Sequence, residues 1–102
     1  VFCFNDLMAI GALRAMSDAG IPVPGQISLA GFDNIEYSNY TQPPLTTFDQ
    51  PKRAIGAEAA NLLLERIHQA RNNEKPEPIT RQMRGRLLIR NSTAQITSKE
   101  ER

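Results

Sequence analysis

Three polar side chains, Asn5, Asp33 and Gln50, stand where short apolar runs stop. Asn5 follows "VFCF", Asp33 follows "ISLAGF", and Gln50 comes two residues after "LTTF" ends. An amide offers a donor and an acceptor, and an ionised carboxylate accepts twice. Such groups suit the hydroxyls or ring nitrogens of a neutral polar molecule. They do not suit a phosphate, because the first turn, "FND", has no glycine to cradle one. Neither G-x-G-x-x-G nor a P-loop occurs, so no nucleotide cofactor is expected. One His and one Cys do not make a metal site. Asp33 and Glu36 are an imaginable acid–base pair, but neighbouring loop carboxylates are common. No G-x-S-x-G elbow exists, and His68 falls on the polar side of a helix. The chain reads as a binding protein and not as an enzyme. Each of the three residues also has a local role open to it: a helix cap for Asn5, a turn for Asp33, plain surface for Gln50.

The elements that must position them are legible from pattern. Val1–Phe4 and residues 27–32 are apolar and suit strands covered on both faces. "LMAIGALRAMSDAG" reads as a helix between them, capped by Asn5 or Asp6 and closed at Gly20. "IPVPGQ" ends it as a loop. A strand–helix–strand unit with short connections implies parallel strands and a right-handed crossover. In such a sheet, ligands bind at the carboxyl ends of the strands, which is where Asn5 and Asp33 stand. Residues 33–45 read as loop with one short helical turn. "LTTF" reads as a third strand, and Asp49 before Pro51 as a helix start. "KRAIGAEAANLLLERIHQARNN" follows as an amphipathic helix. "ITRQMRGRLLIR" reads as extended.

The 102 residues carry 12 basic and 11 acidic side chains, a net charge of +1. That balance gives no basic footprint for nucleic acid. The single Cys3 excludes an internal disulfide framework and suits a reducing compartment. No apolar run approaches a membrane span. The first residue is Val1, already inside an apolar run, so the chain reads as the C-terminal part of something longer.

The first helix shows two apolar stripes: Leu7, Ile10 and Leu13; and Met8, Ala12, Ala15 and Met16. One covers the sheet; the other calls for more protein or a second subunit. Arg84, Arg86 and Arg90 share one face of the last extended segment, which reads as an edge strand with a charged outer face.

The ordered series "ND-MA-GAL-A---G--VP--IS--GFD", then "PPLTT", "QP" and "IRNST", resembles the effector-binding core of the lactose/galactose-repressor (LacI/GalR) family of transcription regulators. The resemblance runs from about Val1 to Thr93. It implies a type I periplasmic-binding-protein-like α/β fold, two lobes with a ligand cleft between them. Residues 1–46 and 84–93 would belong to the C-terminal lobe. Residues 47–78 would supply the crossover and a helix of the N-terminal lobe, and 94–102 a polar tail. The resemblance also implies effector contacts at Asn5, Asp33 and Gln50, with a sugar or nucleoside as effector. It implies a homodimer surface at Met8, Ala9, Ala12, Met16, Tyr40 and Thr41. Operator DNA would be read by an N-terminal helix-turn-helix outside this segment, in a cytoplasmic, nucleoid-associated regulator. An exported sugar-binding protein of a transporter is the alternative.

Overall fold

In the computed structural model, residues 1–96 are described. The chain divides into two compact units: Val1–Gln50 with the segment from Arg86 onward, and Pro51–Gly85.

The first unit is built on parallel pairing. Phe2 bridges Ala30, and Ala30 bridges Thr46, both in parallel. The Ala30 N–H donates to the Val1 carbonyl and the Cys3 N–H to the Ala30 carbonyl, at 2.9 and 2.8 Å. The expected strands are thus paired, but the ladder is short. The next amide to reach the Phe32 carbonyl is that of Asp6, at 2.9 Å, as the chain turns into a helix. Helix α1, Asp6–Asp18, begins there. Between the other two segments a side chain replaces a rung. The buried Ser92 hydroxyl donates to the Leu29 carbonyl and accepts from the Thr46 N–H, at 2.6 and 2.8 Å. Strand β1, Thr47–Asp49, then pairs antiparallel with β2, Arg86–Leu88, in the register Thr47↔Leu88.

Helix α1 has the local chemistry expected at both ends. The Asn5 side chain accepts from the Met8 N–H at 2.8 Å, satisfying one orphan donor of the first turn. At the other end the Ile21 and Gly20 amides reach back to the carbonyls of Met16 and Ser17. Gly20 has φ +73°. This is the left-handed, doubly bonded close that glycine adopts without Cβ strain.

Its buried face coincides with neither predicted stripe but takes Leu13 from one and Ala12 and Met16 from the other. Ala9 and Leu13 join Leu29 and Leu45 in the core, with Ala12, Met16, Cys3 and Val23 packed at the edge. Asp6 is on that same face and wholly buried. The inward line therefore runs through residues 6, 9, 13 and 16, between the two apolar stripes. Leu7 and Met8 are left exposed.

The second unit holds α2, Lys52–Arg71, in which no residue is buried. Pro51 occupies its cap position without a side-chain bond. Asp49, expected to open this helix, lies in β1 instead, where its carboxylate meets Arg86 at 3.6 Å. Beyond α2 the chain is tethered by the Arg66 guanidinium on the Glu77 carbonyl and by the Arg81–Glu58 pair.

One other expectation changes. Arg90 is not part of a charged outer face: its guanidinium donates to the Asn34 side chain, the Ser38 hydroxyl and the Leu45 carbonyl. The polar tail is tied at its root, where the Ala94 N–H donates to the Ser28 hydroxyl at 3.0 Å. Thr97–Arg102, the rest of that tail, lie outside the described residues.

Candidate functional site

A cavity of about 390 Å³ opens at the carboxyl end of the parallel segments, lined by Phe2, Phe4, Asn5, Phe32, Asp33 and Gln50. All six residues belong to the first unit. The sheet brings them together for a simple reason. Side chains on one strand alternate in direction, so Phe2 and Phe4 share a face. Asn5 and Asp33 stand at neighbouring exits, and β1 delivers Gln50 at the third. An apolar wall with a few convergent polar groups is the usual make-up of a small-molecule site.

Asp33 is the most constrained of the polar set. Its N–H donates to the Phe48 carbonyl at 2.9 Å, and one carboxylate oxygen accepts from the Gln50 amide at 2.6 Å. Its φ is +116°, and that of Asn34 is +56°. Two successive non-glycine residues at positive φ cost roughly 1–3 kcal/mol each, and strain of this kind clusters at functional sites. Here it turns the chain sharply at the rim of the cavity.

The turn is gripped from several sides. The Asn34 N–H donates to the Thr47 hydroxyl at 3.2 Å, and its side-chain amide to Asp49, also at 3.2 Å. Arg90 donates to the Asn34 side-chain oxygen at 2.9 Å. Asp6 accepts from the Ile35 N–H at 2.9 Å and from the Thr47 hydroxyl at 2.6 Å. Beneath the turn, Phe32 and Phe48 stack with centroids 5.2 Å apart and planes within 9°, an arrangement that adds to burial.

The structure thus assembles Asn5, Asp33 and Gln50 at one cavity. Asn5 also performs its local role, since its carbonyl oxygen caps α1. The residues named for a subunit surface divide. Met8 and Tyr40 are 57% and 68% exposed, and Ala12 and Met16 are half-buried against the core. Ala9 has no exposed surface, because it belongs to the core with Leu13, Leu29 and Leu45. Thr41 is also buried, its hydroxyl donating to the Ser38 and Pro43 carbonyls. These two have little or no surface to offer a partner.

The sequence reading missed Phe2, Phe4 and Phe32 as cavity walls, having placed them all in covered strands. The available signal was alternation: Phe2 and Phe4 flank Cys3 and must point the same way. Glu36 is exposed in a short 3-10 turn, Glu36–Asn39, and His68 is exposed beside Asn72. No group of His, Cys, Asp and Glu that would hold a metal ion occurs among the described residues. No helix among them is long and apolar enough to cross a membrane. Two further grooves of about 500 and 300 Å³ flank α2. In the larger, Arg66 donates to the Glu77 carbonyl, and in the smaller Arg81 pairs with Glu58.

Residues 1–93 match the periplasmic binding protein-like domain family. The chain is 43% identical over 96 residues to the transcriptional repressor PurR of Vibrio parahaemolyticus, an alignment covering 94% of this chain and 28% of that protein. To the PurR of Aliivibrio fischeri it is 50% identical over 86 residues, covering 79% of this chain and 26% of the relative. Among solved structures, a LacI family regulator from Enterococcus faecium with bound ribose superposes with a TM-score of 0.80 at 36% identity. That superposition covers 95% of this chain and 35% of the other. A complex of the regulator CelR with cellobiose gives a TM-score of 0.80 at 34% identity, covering 90% and 27%. The chain spans little more than a quarter of the curated relatives it matches.

Proposed function

The chain belongs to the periplasmic-binding-protein-like domain family, in its LacI/GalR regulator branch, and from that premise we propose that it forms part of the effector-sensing domain of a transcriptional repressor. The observation that carries this reading is the strained Asp33, bonded to Gln50 and lining a partly aromatic cavity with Asn5. A sugar or nucleoside fits that chemistry: its ring lies on phenylalanine and its hydroxyls meet an amide and a carboxylate. Ribose and cellobiose in the structural relatives are ligands of this class.

The two units, residues 1–50 with 86–96 and residues 51–85, are read as contributions to the two lobes of a cleft domain. Effector binding favours one arrangement of the lobes over another. It shifts operator affinity only by its differential affinity for the two, typically about 1–3 kcal/mol of coupling. Operator DNA is contacted by a helix-turn-helix elsewhere in the protein, in the cytoplasm. The segment senses and does not catalyse. The regulator reading is preferred to an exported sugar-binding protein because the curated relatives are repressors.

Asp33→Ala should weaken effector binding by about 1.5–3 kcal/mol, roughly tenfold or more, while operator binding persists. Titration calorimetry of the full-length protein with ribose, cellobiose, adenosine and guanosine reads this directly. Unchanged affinity in the variant removes Asp33 from the site. We also assign the exposed face of α1 carrying Met8, flanked by Ala12 and Met16, to a homodimer contact, together with Tyr40 after the 3-10 turn. Met8→Glu should then lower the sedimentation coefficient to that of a monomer, and a variant that still sediments as a dimer discards the assignment.

A further inference from the structure

Asp6 is completely buried, yet it lines none of the three cavities described above and is not needed as a helix cap, a role Asn5 fills. Both its carboxylate oxygens are spent on the turn that carries Asp33. One accepts from the Ile35 N–H at 2.9 Å, just beyond the two positive-φ residues. The other accepts from the Thr47 hydroxyl at 2.6 Å, and that same hydroxyl receives the Asn34 N–H at 3.2 Å. The backbone is closed down on this carboxylate. A Cβ on Gly31 would stand 2.3 Å from it and 3.0 Å from Leu45, so only glycine fits there.

We propose that Asp6 is a positioning residue for the effector site, holding the Asp33–Asn34 turn in its strained form through Ile35 and Thr47. The proposal rests on the reading of Asp33 as an effector contact. Its logic is that of a strained segment over-determined by its surroundings. Without Asp6 the turn loses two of the bonds that oppose its relaxation. Asp33 then samples directions in which its carboxylate no longer meets the ligand, and affinity falls by the fraction of time it is misaimed. Thr47 is the relay, because its hydroxyl touches both Asp6 and the turn.

Titration calorimetry on the full-length protein with ribose, cellobiose, adenosine and guanosine reads Kd and the number of competent sites together. Asp6→Ala is expected to raise Kd about tenfold with the number of sites unchanged. Asp6→Asn still offers an oxygen to the Ile35 N–H but reverses the bond to Thr47, whose proton loses its acceptor, so its Kd should fall between those of wild type and Asp6→Ala. Thr47→Val, equal in shape, should move Kd in the same direction as Asp6→Ala. Fewer competent sites at unchanged Kd in Asp6→Ala would mean that Asp6 only holds the fold, and would overturn the proposal. If Asp6→Ala does not fold, Thr47→Val decides, and an unchanged Kd there overturns it as well. Asp33→Ala run alongside separates the two levels. A loss in Asp33→Ala with none in Asp6→Ala or Thr47→Val sinks the positioning role alone. No binding by wild type, or no effect of Asp33→Ala, removes the effector-site reading and this proposal with it.

Discussion

The two units put their apolar side chains to different ends. In the first, a 13-residue helix sends Ala9 and Leu13 against Leu29 and Leu45, and polar groups fill the remaining interior in satisfied networks. No buried side-chain nitrogen or oxygen lacks a partner among the described residues. In the second, a longer helix of 20 residues has no fully buried residue. Leu63 and Leu64 are 60% and 64% exposed. Among the contacts that hold that unit together are the Arg81–Glu58 ion pair and the Arg66 bond to the Glu77 carbonyl. The contrast teaches where shape is locally determined. Residues 1–50 with the last strand carry their own core, whereas residues 51–85 present an amphipathic helix whose apolar face these contacts do not cover.

Leu29→Ala should break the first unit most severely. It removes a side chain with no exposure from the centre of the core, at a cost of about 2–5 kcal/mol. Urea denaturation of this chain, followed by circular dichroism, should show the transition lost or shifted far to low denaturant. Leu63→Ala should be the mildest, within about 0.5 kcal/mol, since exposed substitutions rarely cost more. A loss well above that in the same experiment would show that Leu63 is covered in solution, and would erase the contrast. A small effect for Leu29→Ala would erase it from the other side.

Much of the site was readable because its logic is topological. Once two strands are parallel and neighbouring, Asn5 and Asp33 share a rim whatever else the chain does. The ends of α1 were readable because capping is local: Asn5 reaches Met8, and Gly20 closes within a turn. What was not readable depends on partners far along the chain. Asp6 is bonded 29 and 41 residues away, and Arg90 reaches 45, 52 and 56 residues back. Spacing alone gives an arginine in an extended segment a face, not a destination. The inward line of α1 was missed for a related reason. A carboxylate at position 6 breaks the apolar pattern, so the eye follows the flanking stripes. The core accepts Asp6 only because Thr47 and Ile35 satisfy it.

The capping bond of Asn5 also sets the polarity of the cavity's rim. With its oxygen turned to the start of α1, the amide shows a visitor only its hydrogens, while across the opening Asp33 shows only lone pairs. A guest must therefore bring a lone pair to one side and a hydrogen to the other. One alcohol group does both, whereas an ether or a ketone at the same place would leave the aspartate unanswered.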